Sequence, residues 1–135
     1  MNNKETIINK LEKGRAEFAY ECMMKIVNTT DEKKKKEYRS YIRRLPTMIL
    51  TNGLGQALAF VVAKSENGNA YKLIYKQLTN YMKSKYITKI QMPQDEKEFL
   101  KWVISCDSQT YRYITQEILA FLNWLKRFAE GMIEE

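Results

Sequence analysis

The stretch "LPTMILTNGLGQALAFVVAK", Leu45 to Lys64, decides how this chain folds. Gly53 and Gly55 sit two residues apart in an apolar, alanine-rich run. A loop that cradles phosphate would make the chain a nucleotide-binding protein. A helix thinned to lie close to a neighbour would make it part of a helical bundle. Asn-Gly-Leu-Gly lacks the Lys-Ser/Thr that completes a phosphate-binding loop, is too short for the GxGxxG pattern, and follows no strand-like segment. Close packing is therefore the first reading. Gly53, Gly55, Ala57, Ala59 and Ala63 remove bulk from a helix, while Leu54, Leu58, Phe60 and Val61 supply core. A helix N-terminus binds anions unaided, so a backbone contact to phosphate stays open as the second reading.

The flanks of this stretch are helical as well. Ile7, Leu11, Phe18, Cys22 and Ile26 step by three, four or seven, which predicts a first helix from about Thr6 to Asn28. Gly14 interrupts that pattern and marks close packing or a bend, since glycine costs about 1 kcal/mol against alanine in a helix. Thr30 or Asp31 is the expected N-cap of the next helix, Glu32 to Leu45, whose apolar stripe is Tyr38, Tyr41, Ile42 and Leu45. Pro46 is expected to end it and to open a short apolar helix, Thr47 to Thr51. Asn52 is expected to cap a further helix from Gly53 to Ala63 or Lys64.

Ser65 to Asn69, "SENGN", reads as a loop. A helix follows from Ala70 to about Lys85, with Leu73, Ile74, Leu78, Tyr81 and Met82 inward. "YITKIQMPQD" is irregular, with room for a short extended piece. Asp95 with Glu98 three residues on suggests a capping box, and Phe99, Leu100, Val103 and Ile104 form the buried face beyond it. A last helix starts at Asp107 or Ser108 and reaches Glu130; Ile114, Ile118, Leu119, Phe121, Leu122, Leu125 and Phe128 give it a wide apolar face. The expected architecture is all-α: one compact domain over residues 1–135, a bundle of about six helices.

Composition supports that class. The chain has 135 residues, only two prolines and five glycines, and one domain of this size hides roughly two-thirds of its unfolded surface. There is no histidine, which removes the commonest general base and metal ligand. Cys22 and Cys106 lie too far apart for a CxxC site and read as buried free thiols. No apolar segment approaches the length of about 20 residues that spans a bilayer. The opening MNNKETIINKLEKGRAEF is charged and helical, without the apolar core of a signal peptide, and the expected location is the cytoplasm. Neither a Ser/His nor a Cys/His pair appears, nor an acidic pair in an expected cleft. Asp107, Glu117 and Glu130 read as caps or solvent contacts. The residues point to no enzyme, no cofactor, no metal, no membrane and no small-molecule substrate.

The formal charge is +7. It is concentrated early: residues 1–64 carry 13 basic and 7 acidic side chains, and residues 65–135 carry 10 and 9. From Lys33 to Arg44 there are seven basic residues against one acidic, Glu37. A charge run is ordinarily a solvated face. Here like charges at i, i+4 repel along one helix, and retaining that repulsion points to an external polyanion, nucleic acid first. Tyr38 and Tyr41 interleave the run; such rings can stack on bases, but their spacing with Ile42 and Leu45 places them in the core.

Three blocks resemble a known family. "YRSYIRRLPTMILTNGLGQALAFVVAK", Tyr38 to Lys64, is similar to the signature of the small helical subunit of type III-B CRISPR RNA-silencing complexes, the Cmr small subunit. The tail "DSQTYRYITQEILAFLNWLKRFAEG", Asp107 to Gly131, and the opening "LEKGRAEFAYECM" are similar to it as well. The resemblance covers about half of the chain, in the expected order. It implies a non-catalytic subunit whose copies stack as a minor filament beside the guide-holding backbone and help form the channel for target RNA. The implied partners are other subunits of the Cmr complex, further copies of this chain, and guide and target RNA.

The candidate RNA-binding residues are Lys35, Lys36, Arg39, Arg43 and Arg44, which would neutralise phosphates without reading bases. Lys126 and Arg127 would extend that surface, or serve as ordinary cations near a helix C-terminus. Assembly through apolar patches brings in Trp102 and Trp124, although both read first as core. The rival reading is a stand-alone, non-specific nucleic-acid-binding helical protein. A DNA reader would need a recognition helix bearing Arg, Asn or Gln towards base edges, and none is evident. A membrane-surface protein would expose bulky apolar residues along a basic helix.

Overall fold

A computed structural model describes residues 7–29 and 31–134, apart from the side chains of Ile7, Ile8 and Leu11. The inward roles expected of Ile7 and Leu11, the helix start at Thr6 and the cap at Thr30 therefore lie outside the described residues. Among those described there are six helices and no strand: α1 (Ile7–Val27), α2 (Glu32–Asn52), α3 (Leu54–Lys64), α4 (Ala70–Lys83), α5 (Phe99–Ser105) and α6 (Ser108–Met132). The all-α bundle is as the sequence predicts. The long helix α6 is its axis, packing most extensively on α1 and α2, while α4 leans on α2 and α3. Ile114, Ile118, Phe121, Leu122 and Leu125 of α6 are fully buried.

Several boundaries differ from the sequence reading. Pro46 does not end α2: the helix runs for 21 residues through it. Proline removes one N–H, the one that would bond the carbonyl of Ile42 four residues back. The buried stripe Tyr38, Ile42, Leu45 and Ile49 continues on both sides of that gap, and burial of those side chains outweighs one lost bond. Asp31 caps α2 as expected, accepting from the Lys34 amide at 3.0 Å.

Gly53, not Asn52, stands between α2 and α3. Its amide donates to the Ile49 carbonyl at 2.8 Å and its own carbonyl accepts from Ala57 at 3.1 Å. It therefore closes one helix and opens the next, with φ +91° and ψ 157°, a conformation essentially confined to glycine. Asn69 caps α4, with its side chain accepting from the Lys72 amide at 2.9 Å. That helix stops at Lys83, two residues before the expected end, and residues 84–98 are irregular. Asp95 begins no helix. The α5 helix starts four residues later, behind Glu98, without a side-chain cap bond. Ile104, expected in the core, is 64% exposed, because seven residues make only two turns and bury just Phe99 and Val103.

Gly14 is a close-packing position. A Cβ there would lie 2.7 Å from Cδ1 of Tyr86, so α1 is notched to seat that ring, which also meets Phe18 edge-on at 6.2 Å between centroids.

Candidate nucleic-acid interface

The basic residues of α2 fall on two flanks of one helix. At about 100° per residue, Lys36, Arg39 and Arg43 form a row at i, i+3 and i+7, with Lys35 beside Arg39. Lys36 and Arg43 are exposed, and Lys35 and Arg39 are half-buried. Lys35 is engaged by its own chain: its Nζ lies 2.9 Å from the Glu32 carboxylate. Leu50, 74% exposed, continues the stripe two turns beyond Arg43.

Arg44 lies about 100° round from Arg43. Its guanidinium sits 5.4 Å from the centroid of the Tyr41 ring, so it belongs to the opposite flank of α2. Lys126, half-buried, and Arg127, exposed, are on α6. The seven candidates thus do not form one strip. Lys35, Lys36, Arg39 and Arg43 come together on one flank of α2 and Arg44 lies on the other, while Lys126 and Arg127 belong to α6, which packs on α2.

The two tyrosines of the basic run behave differently. Tyr38 is fully buried, and its hydroxyl donates to Oε1 of Gln77 at 2.6 Å; burial raises its pKa well above 10. Tyr41 is half-buried and stacks on Tyr71 of α4, with centroids 3.8 Å apart and ring planes 14° from parallel. Phe60, placed in the core by the sequence pattern, is 37% exposed and meets Tyr71 at 79° with centroids 5.8 Å apart. Lys64 Nζ lies 5.8 Å from the Phe60 centroid. An aromatic cluster with two cations over its rings therefore spans α2, α3 and α4. Its residues come from three helices, so no local pattern announces it.

Glu117 also differs from its expected role as a cap or solvent contact. It is 2% exposed. Its Oε1 and Oε2 accept from Nη2 and Nε of Arg15 at 3.0 and 2.8 Å, and Oε2 accepts from the Tyr81 hydroxyl at 2.6 Å. Burial is the largest single influence on this carboxyl and opposes its ionisation; the hydrogen bonds from Arg15 and Tyr81 and the charge of Arg15 together outweigh it and hold the pKa below the usual range. The fully paired arrangement ties α1, α4 and α6 together and is structural in character. Asp107 caps α6, accepting from the Thr110 amide at 2.8 Å, and that bond lowers its pKa. Cys22 is buried, and burial pushes its thiol up to about 12. Trp102 and Trp124 are half-buried, the latter donating from Nε1 to Glu12 at 2.8 Å. Among the described residues, no three His, Cys, Asp or Glu side chains gather where they could hold a metal, and no helix is long and apolar enough to cross a membrane.

Fold and faces together define a small, basic, all-helical protein with an exposed cationic row on one helix. A family model for CRISPR-associated protein (Cas_Cmr5) matches residues 11–132. The chain is 31% identical over 120 residues to the CRISPR system Cmr subunit Cmr5 of Thermus thermophilus, covering 89% of this chain and 93% of that one. Its fold is similar to the X-ray crystal structure of a CRISPR-associated Cmr5 family protein from the same organism, with a TM-score of 0.73 and 25% identity over 97% of this chain and 100% of that one. The chain belongs to the CRISPR-associated Cmr5 family.

Proposed function

We propose that this chain is a non-catalytic small subunit of a type III-B Cmr complex, which stacks as a minor filament in the cytoplasm and helps hold guide and target RNA. Family membership supports the complex, and the row Lys36, Arg39 and Arg43 carries the RNA-holding part. Three cations on one side of a helix, two of them exposed, suit successive phosphates of a strand and make no demand on base sequence. Lys35 contributes at the edge of the row, after exchange of its Glu32 partner. Arg44, on the other flank of α2, and Lys126 and Arg127 of α6 add further phosphate contacts.

The exposed Leu50 and Ile104 are the apolar contacts for neighbouring subunits; the half-buried tryptophans serve the fold. Many weak contacts in line raise effective affinity without any new contact. The test is RNA capture by the assembled complex carrying Lys36→Glu and Arg43→Glu. Reduced capture with intact assembly is the expected outcome; unchanged capture would sink the assignment of this row.

A further inference from the structure

We propose that the Tyr41–Tyr71–Phe60 cluster is a stacking platform for an unpaired base of an RNA strand, with Arg44 and Lys64 taking the flanking phosphates. This goes beyond charge neutralisation by the α2 row and rests on the reading that the chain holds RNA.

The geometry supplies three reasons. First, the rings are only half withdrawn from solvent: Tyr41 and Tyr71 are half-buried, and Phe60 is 37% exposed. Tyr38, one turn earlier on α2, shows how this bundle treats a ring that serves only the core, burying it fully and satisfying its hydroxyl. Secondly, cations lie over the outer rings, Arg44 over Tyr41 and Lys64 over Phe60. Both are exposed. An exposed cation over a ring is a weak, exchangeable contact, whereas a base stacked on an aromatic side chain is held more firmly and without regard to its identity. A base displaces the cation from the ring face, and the freed cation moves to the adjoining phosphate. Thirdly, the local charge suits a polyanion: Arg44 and Lys64 flank the rings, Lys33 lies on the same side of α2, and Glu37 is the one acidic neighbour on that flank of the helix.

With Arg44, Leu45, Met48, Val61 and Ile74, the three rings line a small apolar pocket beside the buried core. A duplex keeps its bases paired and inaccessible, so the platform selects single strands.

The test compares two fluorescent RNA 12-mers binding to the full-length chain at low salt, one of uridines and one with abasic sites in its central positions. The wild-type chain should bind the uridine strand roughly tenfold more tightly. In Phe60→Leu/Tyr71→Leu that preference should collapse while affinity for the abasic strand stays. The single variant Phe60→Leu, at a partly exposed position, guards against misfolding and should lose part of the preference. Equal binding of both strands by the wild type, or full preference retained in the variants, would overturn the platform. Failure of the α2 row has a different signature: Lys36→Glu/Arg43→Glu would leave both affinities unchanged while the base preference survived. Absence of binding to either strand overturns the platform, while the α2 row stands or falls with capture by the assembled complex.

Discussion

The hydroxyl of Tyr111 on α6 accepts a hydrogen bond from the backbone amide of Gly55 on α3 at 2.8 Å. The α3 helix has no side-chain cap of its own, because Gly53 stands at its N-cap position. A tyrosine 56 residues away in sequence performs that office. The two central glycines therefore serve different ends. Gly53 turns the backbone, and Gly55 leaves its amide open to a side chain of another helix.

Removing that hydroxyl should weaken the junction. Tyr111→Phe leaves a first-turn amide without its cap, worth about 1 kcal/mol. Thermal unfolding followed by circular dichroism should show a Tm lower by roughly 4 °C; an unchanged Tm would mean that water replaces the hydroxyl at no cost.

The glycines should also separate under substitution. Gly53→Ala forces a Cβ into a conformation with φ +91° and should cost about 1–3 kcal/mol. At Gly55 an added Cβ meets Ile104 Cγ2 at 3.4 Å and Tyr111 Oη at 3.5 Å, ordinary contact, and Gly55→Ala should be neutral or stabilising by about 0.5 kcal/mol. Denaturant midpoints of the two variants check the contrast, and equal losses would refute it.

Acid should act through Glu117. Its pKa is lowered in the folded state, so the stability it contributes is present above the unfolded value of about 4.5 and is lost as the pH falls through the lower folded value. Glu117→Gln should cost roughly 3 kcal/mol at pH 7, towards the low end of a broken buried pair because Arg15 also reaches Glu12 at 3.7 Å. The variant should show a flatter stability profile below pH 5. A profile parallel to the wild type would place the acid sensitivity elsewhere.

Salt should report the cationic row. Neutralising Lys36 and Arg43 together with alanine removes two phosphate contacts, and the slope of log affinity against log salt on single-stranded RNA should become shallower by about 1.4. The loss should be alike for RNA of any sequence. Isothermal titration at several salt concentrations measures it, and a slope identical to that of the wild type would exclude direct phosphate contact.

Thiol chemistry gives a check on the core. Cys22 is 7% exposed with its pKa pushed up to about 12, chiefly by burial, while Cys106 is half-buried and raised by burial to a smaller extent. A disulfide reagent at pH 8 should label Cys106 first and reach Cys22 only as the chain opens. Simultaneous labelling would show that α1 frays in the native state.

Much of this molecule is local and therefore readable in one dimension. The 3.6-residue recurrence of apolar side chains sets the core faces of α4 and α6, and Asp31 and Asp107 announce two helix starts because a cap needs only its own next turn. The joint at Pro46 is illegible there: whether a helix survives a proline depends on what its flanking stripe packs against. The partners of Glu117 are illegible too, since Arg15 is 102 residues away in sequence. The grouping of Arg44 with Tyr41, Tyr71 and Phe60, and its separation from Arg43, requires helix phase as well as the meeting of three helices.

By itself, the sequence determined that this is a basic, all-helical chain of the Cmr5 type, because periodicity, composition and family blocks are properties of order along the chain. Only the tertiary structure decided which cations share a face, which carboxylate is buried and which rings remain within reach of a ligand. Those are distances between residues far apart in sequence, and they exist only once the helices have packed.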